Sequence, residues 1–552
     1  MKKLHGFFIA FSLILVVNLY DAISVFGMQT VDLPRLQFVL FSIWVLLRNS
    51  IGYALLIASP ALFIGRFSRF LLIPIFAYIL GVEVLSAYTA KVFHAQLSEI
   101  WLPLVLNTSF QEMVGFVKMV GSPICIIALA SYFVIVFVSG MFLWKARYSK
   151  ISYRSGLMGV IACVPFVITN CIFMNMKFGL TQMRYTDFFV SAARSYFQNR
   201  GFLAACKQPD LPEKLSVSCS KNQLPNGVIV IGESSTRANW HCYGYARHTT
   251  PRIDDLCEKG ECILYTDVVG IHPDTVGALS WFLTDVMYDG DKSIGYWTMA
   301  EVFKRAGYRC VLITNQKAVN DNLSLLSNLF NGCDERISIS TIFKGKEHFD
   351  EVLIPFIGRE LVKKDERPVM LFVHLSGIHF PVHNANPKED AHFVKGEESF
   401  YVKDFSDKMR DRVNRYDDGV LYEDKVLGLI VDVLKTRDEA TFMFFISDHG
   451  ESPFSEEWRS YVDENVYELP AFFWFSNSYR LRFPDMVEKV TAASKKSLQP
   501  DEMTTGLFDL CFIDDSLKGH RRMSFTDKSF TGRKPRPICK GRMKYPKDLR
   551  IR

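Results

Sequence analysis

Five long apolar stretches, all before residue 178, constrain this chain more than any other feature. They cover about 6–27, 38–64, 70–92, 120–144 and 156–176. Val120–Trp144 and Gly156–Met176 contain no charged residue, and Phe38–Ile64 is broken only around Arg48 and Asn49. A helix rises about 1.5 Å per residue, so roughly 20 apolar residues cross the hydrocarbon of a bilayer. The sequence therefore predicts five membrane-spanning helices within residues 1–178. A cleaved signal peptide is the rival reading of the first, because Met1-Lys2-Lys3 precedes its apolar core. No small-x-small cleavage site follows it, however, and four further stretches do.

Charge in the short connecting loops sets the expected orientation. One side carries Lys2, Lys3, Arg66, Arg69, Lys145, Arg147, Lys150 and Arg154 with no acidic residue. The other carries Arg35 with Asp32, and Lys118 with Glu99 and Glu112. The first side is then cytoplasmic, and residues 179–552 are expected outside the cytoplasm, which in a bacterium is the periplasm or outer surface. Asp21, Arg48 and Glu83 each fall roughly 16–18 residues from the cytoplasmic end of their stretch, roughly 24–28 Å up. Charges inside spans are costly and tend to be functional. The three read either as mutual pairs or as a lipid-headgroup site in which Arg48 faces a phosphate.

After Gly179 the pattern changes. Short apolar runs end in polar residues: Val228–Ile231, Cys310–Thr314, Met370–Leu375, Phe442–Ser447 and Ala471–Ser476. Continuous apolar runs of this length are expected of strands covered on both faces, as in a largely parallel sheet. Helical segments alternate with them at Trp297–Ala306, Asp350–Lys363 and Asp418–Lys435, and the last carries an apolar face from Val420 to Leu434. Strand–helix alternation predicts a doubly wound α/β domain over 179–552. Residues 384–412 read as an exposed, strand-poor insertion. Lys and Arg total 64 against 58 Asp and Glu, a net charge of +6. So small an excess leaves little counterion release to drive nucleic-acid binding, and nucleic acid is excluded as a partner. Nine cysteines follow the apolar half, and Cys206/Cys219 and Cys257/Cys262 are close enough in sequence to suggest local disulfides in an oxidising compartment.

Ligands in doubly wound folds sit at the carboxyl ends of strands. Three such ends carry metal-donor chemistry. Val228–Ile231 runs into Gly232-Glu233-Ser234, Phe442–Ser447 into Asp448-His449-Gly450, and Met370–Leu375 into Ser376-Gly377-Ile378-His379. A lone Glu or Asp-His pair is ordinarily a cap or a surface group. Three at strand ends point to one site of nitrogen and oxygen donors, of the kind that bind zinc or manganese. There is no phosphate-binding loop, no G-x-G-x-x-G and no complete nucleophile elbow. The nucleophile is then expected to be a hydroxyl activated by the metal.

At these residues the sequence resembles bacterial inner-membrane phosphoethanolamine transferases of the alkaline phosphatase/sulfatase superfamily. The resemblance rests on Gly232-Glu233-Ser234-Ser235-Thr236-Arg237, Tyr243–Arg247, Thr249-Thr250-Pro251, Ala306-Gly307-Tyr308, Thr314-Asn315-Gln316, Arg415–Asp418 and Ser447–Glu451. Five spans before one periplasmic domain is also that family's layout. The resemblance implies a sulfatase-like (alkaline-phosphatase-like) α/β domain and a threonine nucleophile, which matches Thr275, five residues before Ser280. It implies that Glu233, Asp448 and His449 hold a zinc ion with Thr275, and that His379 faces the substrate or a second metal. It also implies donor contacts from the second periplasmic loop, where Thr108 and Glu112 match while Leu104 replaces an asparagine. Many members carry another histidine about a dozen residues after the Asp-His pair; Ser452–Leu469 has none, which argues against a permanent second metal.

The activity so implied is transfer of phosphoethanolamine from phosphatidylethanolamine to lipopolysaccharide (lipid A or a core sugar) or to a periplasmic glucan. The rival readings are glycerol phosphate transfer in the manner of a lipoteichoic acid synthase, and a membrane-bound phosphatase or sulfatase. A sulfatase would need a modifiable Cys or Ser in C/S-x-P-x-R, and Pro273-Asp274-Thr275-Val276-Gly277 lacks it.

Overall fold

The computed structural model describes residues 7–17, 54, 57–58, 65–93, 123–146, 211–285, 287–289, 292–294, 297–316, 325–343, 348–379, 386–393, 406–454, 463–513, 523–538 and 543–546. The chain divides into two compact units, the first within residues 1–197 and the second built mainly from residues 198–552.

In the first unit, α1 (Arg69–Phe93) and α2 (Pro123–Lys145) are long helices of 25 and 23 residues. Their positions match the apolar stretches at 70–92 and 120–144. Leu72, Phe76 and Ile79 of α1 are buried in one apolar cluster with Ala10 and Ile14. Tyr132 of α2 donates its hydroxyl to Ala77 O at 3.2 Å, and the Arg69 guanidinium lies 4.8 Å from the centroid of the Trp144 ring. Among the described residues no helix is long and apolar enough to cross a membrane. Glu83 is buried within α1. Asp21, Arg48, Thr108 and Glu112 lie outside the described residues, as does the stretch at 156–176.

The second unit is organised by one seven-stranded sheet. Its strands are β1 (Asn226–Gly232), β2 (Cys262–Leu264), β3 (Arg309–Thr314), β4 (Glu335–Ser338), β5 (Val369–His374), β6 (Thr441–Ser447) and β7 (Ala471–Phe475). They are ordered β2-β7-β6-β1-β5-β3-β4. The strands from β6 to β4 run parallel to their neighbours, while β7 and β2 add an antiparallel edge.

Two apolar layers explain why the central strands read as unbroken apolar runs. Ile229, Ile231, Met370, Phe372, Phe442 and Phe444 enter one buried cluster. Val228, Val230, Leu371, Val373, Met443 and Phe445 enter the other. Alternate side chains point to opposite faces of a strand, so both faces must be covered. Helices α3 (Pro251–Glu258) and α7 (Asp407–Lys435) cover the second face, α7 through Val420, Val426, Leu427, Ile430 and Leu434. Helices α4 (Thr275–Leu283), α5 (Met299–Arg305) and α8 (Pro500–Leu510) cover the first, through Leu279, Phe303 and Phe508 among others. Helix α6 (Ile354–Val362) leans on α7, with Ile357 in the second cluster.

Helix α7 corrects one boundary. It begins at Asp407, eleven residues before the expected start at Asp418, with the Ser406 side chain accepting Met409 N at the N-cap. Its first turns are mostly charged, but Met409, Val413 and Tyr416 are buried at helical spacing and continue the apolar face into Val420, so the helix runs into the supposed insertion at 384–412. Strands β2 and β4 are short and only partly buried; β2 has only the brief apolar run Cys262–Tyr265, and β4 has none. Cys257 and Cys262 are free thiols, not the expected disulfide, and Cys219 is also free. Cys206 lies outside the described residues.

Candidate active site and metal centre

Strand register brings the sequence-predicted groups to one level. Gly232, the last residue of β1, pairs with Ser447 of β6, and Ile231 pairs with His374 of β5. His374 in turn pairs with Thr314 of β3. Four neighbouring parallel strands therefore end together, and the chain leaves them at Glu233, Asp448, Leu375 and Asn315.

Glu233, Asp448 and His449 are all fully or almost fully buried. One donor atom from each lies within 4.8 Å of the others. His449 Nε2 is 3.5 Å from Glu233 Oε1 and 3.6 Å from Asp448 Oδ2. The other ring nitrogen, His449 Nδ1, is 2.9 Å from Gly450 O, which turns Nε2 toward the carboxylates. Asp448 Oδ1 accepts from Ser234 N at 3.0 Å and from His449 N at 2.6 Å. Its Oδ2 is buried with no hydrogen-bond partner. A buried, unpartnered carboxylate oxygen costs free energy unless a cation or a proton meets it. Two carboxylates and an imidazole converging around such an atom fit a divalent cation of the zinc type.

Thr275 completes the cluster from the other side. It opens α4, and its Oγ1 donates to Glu233 Oε2 at 3.1 Å. Asp274 caps that helix by accepting Gly277 N at 2.8 Å, and is itself ion-paired to His272. Burial would raise the Asp274 carboxyl, but the His272 charge and the cap bonds outweigh it and hold the group well below the usual range. Thr275 is only partly buried, so its hydroxyl can be approached. It also sits at the positive end of a nine-residue helix, which favours negative charge on its oxygen or on a bound phosphate. Ser280 is not part of the site, because its hydroxyl donates to Val276 O at 2.6 Å within the helix.

His379 lies on the loop after β5, half-buried and close enough for its charge to act on Glu233. That loop is held against the site by backbone contacts. Ile378 N donates to Glu233 O at 3.0 Å. Gly377 adopts φ +54°, and a Cβ there would come within 2.7 Å of Glu233 O, so only glycine fits. Asp350 accepts Ser376 N at 2.8 Å and Gly377 N at 2.9 Å, fixing the loop from beneath. Ser234, next to Glu233, is forced to φ +60°, a strained conformation of the kind that clusters at functional sites.

Two contributors had no assigned role in the sequence reading. Gln316 Nε2 donates to Glu233 Oε2 at 3.2 Å and to Leu375 O at 3.0 Å, fixing the carboxylate's plane. Asp350, besides holding the His379 loop, accepts from Asn315 Nδ2 at 2.8 Å. The signal for Gln316 was its place in Thr314-Asn315-Gln316, one of the motifs that carry the resemblance, which gave it no role. Asp350 gave none, since an acidic residue at a helix start is ordinarily a cap.

The electrostatics make a pH prediction. Burial pushes Asp448 up to about 6. Burial, and then the Asp448 charge, raises Glu233. A carboxyl raised in the folded state stabilises the fold below its ordinary value of 3.8, and that contribution is lost as pH rises through about 6. The metal-free protein should gain thermal stability as pH falls from about 7 to about 5. The metal-loaded protein should lose it over the same window, because protons compete with the cation. Other buried carboxyls are common to both forms, so the difference between the two melting curves isolates this site. Parallel curves would contradict a cation at these groups.

Comparisons with known proteins bear on the family and the fold. The sulfatase family profile matches residues 225–511, slightly more than half of the chain. The chain is 26% identical over 279 residues to Phosphoethanolamine transferase EptC of Escherichia coli O18:K1:H7, covering 48% of this chain and 47% of that protein. It thus spans about half the length of the curated relatives it matches. The C-terminal periplasmic domain of Escherichia coli EptC, solved in complex with Zn, superposes with a TM-score of 0.53 at 22% identity, covering 59% of this chain and 93% of that one. The integral membrane lipooligosaccharide phosphoethanolamine transferase A of Neisseria meningitidis gives 0.62 at 19% identity, covering 93% and 97%. At such identities the structural likeness concerns the fold.

Proposed function

Because the chain belongs to the sulfatase family, we propose that it transfers phosphoethanolamine from phosphatidylethanolamine to an envelope acceptor, either lipopolysaccharide or a periplasmic glucan. The observation that carries this reading is the Thr275 hydroxyl, 3.1 Å from Glu233 Oε2 and beside the buried Asp448 and His449. The relatives' names support the transferred group. The five expected spans would place this site at the inner membrane, facing the periplasm, where a lipid donor is concentrated.

Glu233, Asp448, His449 and Thr275 would hold the zinc ion. Bound there, it would lower the pKa of a hydroxyl and screen phosphate charge. The steps themselves belong to the chain's residues. Thr275 loses its proton toward Glu233 Oε2, the acceptor it already faces, and its oxygen attacks phosphorus. The bond from phosphorus to the glycerol oxygen breaks, and that oxygen takes a proton to leave as diacylglycerol. Phosphoethanolamine then sits on Thr275, stabilised by the N-terminus of α4. An acceptor hydroxyl or phosphate oxygen attacks the same phosphorus, gives up its proton if it carries one, and releases Thr275. Gln316 holds the Glu233 carboxylate, and the Gly377 loop its backbone, in one orientation through both halves. His379 would meet the phosphate or the acceptor. Arg48, Thr108 and Glu112 are proposed to contact the donor headgroup.

The test is the fate of label. Phosphatidylethanolamine labelled in its ethanolamine, fed to membranes holding the protein, should deliver label to lipopolysaccharide or glucan and leave diacylglycerol. Label in free phosphoethanolamine alone would favour a phosphatase instead. Transfer only from a glycerol-labelled donor would favour the glycerol phosphate reading.

A further inference from the structure

His241, His248 and Asp254 form a second group of metal donors, and no residue is shared with the site above. One donor atom from each lies within 4.8 Å of the others. His241 Nδ1 is 2.6 Å from Asp254 Oδ2. The His241 and His248 rings are 4.1 Å apart between centroids and tilted by 40°.

The local sequence holds these groups in place. His241–Tyr243 forms one tight helical turn, and Gly244 at φ +100° reverses the chain. Pro251 then starts α3, with Asp254 in its first turn. Two threonine hydroxyls pin the turn to the helix start. Thr249 Oγ1 accepts His241 N at 3.1 Å, and Thr250 Oγ1 accepts Cys242 N at 3.0 Å. Thr250 Oγ1 also donates to Asp254 Oδ1 at 3.2 Å. The Asp254 carboxylate is therefore oriented, with Oδ2 turned to His241.

An ordinary capping ion pair would need only His241 and Asp254. It gives no reason for a second imidazole with its centroid 4.1 Å away, where two protonated rings would repel. A shared cation supplies one, since two neutral imidazoles and one carboxylate are the three-ligand set of many zinc sites with an open position. His248 is exposed and leaves that position accessible to solvent.

We propose that His241, His248 and Asp254 bind a divalent transition-metal ion of the zinc class, distinct from the ion of the catalytic cluster. The ion ties the turn at His241 to the first turn of α3. Between its ligands run Cys242, Tyr243, Gly244 and Tyr245, which with Arg237 and Glu468 line a cavity of about 820 Å³. Its structural effect is to fix one wall of that cavity. The proposal does not depend on the transferase reading.

The test uses the full chain in detergent, stripped with a chelator and titrated with cobalt(II), read by its visible absorption. Two equivalents are expected for the unmodified chain. His248→Ala should lose one of them, and Asp254→Asn, which keeps the side chain's shape, should lose the same one. Glu233→Gln should lose the other. One equivalent in the unmodified chain that disappears in His248→Ala would still support this site. Unchanged stoichiometry in both His248→Ala and Asp254→Asn would overturn it, as would a single equivalent lost only in Glu233→Gln.

Discussion

Thr275→Ala should abolish transfer while leaving the fold and the metal content nearly intact. The substitution removes one hydroxyl and its 3.1 Å hydrogen bond to Glu233. A bond of that kind contributes about 1 kcal/mol net. Alanine is also the better helix former at the start of α4, which offsets part of that loss. Three donors, Glu233, Asp448 and His449, remain to retain the ion. The chemistry has no such reserve, because no other described hydroxyl is hydrogen-bonded to Glu233 except Ser234, its strained neighbour. Loss of a covalent nucleophile costs about 10⁴-fold or more in turnover. Steady-state transfer by the purified variant, measured beside its zinc content, checks both halves. A variant within tenfold of the parent would remove Thr275 from the mechanism.

Asp448→Asn should show the reverse separation: metal and activity lost together, with the metal-free fold no less stable. Asparagine keeps an oxygen at Oδ1 to accept Ser234 N and His449 N, so the turn after β6 retains its hydrogen bonds. It removes the negative charge on Oδ2, the buried oxygen with no hydrogen-bond partner. The parent carboxyl is already pushed up to about 6 by burial, so its charge opposes the metal-free fold near neutral pH. Outer-shell changes at metal sites cost about 10–100-fold in affinity. Loss of a direct ligand should reach at least the upper end of that range. Calorimetric zinc titration and thermal unfolding of the stripped variant measure the two effects. Wild-type zinc affinity in Asp448→Asn would place the cation elsewhere.

The parts of the fold that could be read from sequence are those where burial dictates composition. β1, β3, β5, β6 and β7 lie between two apolar layers, so their interior positions are apolar and the run is visible. β2 and β4 are short and partly buried, and nothing in their residues demands a strand. The first three turns of α7 are mostly charged, and their apolar face is reduced to Met409, Val413 and Tyr416, single residues among charges that the Ser406 cap precedes.

The site divides in the same way. Glu233, Asp448 and His449 stand out because metal-donor side chains directly follow apolar strands, where ligands of this fold class sit. Thr275 carries no such mark, since a threonine at a helix start is ordinary; its place came from family resemblance alone. Gln316 and Asp350 act through contacts that cross 83 and 26 residues of chain, and no local pattern encodes those.

The central claim is that phosphoethanolamine rests on Thr275 between donor and acceptor. Its most direct measurement is the intact mass of the zinc-loaded full chain after incubation with phosphatidylethanolamine and no acceptor. The account predicts a mass increase of one phosphoethanolamine group, mapped by peptide fragmentation to Thr275, absent in Thr275→Ala and discharged when acceptor is added. Diacylglycerol release and complete transfer with no adduct on Thr275 at any time would contradict it.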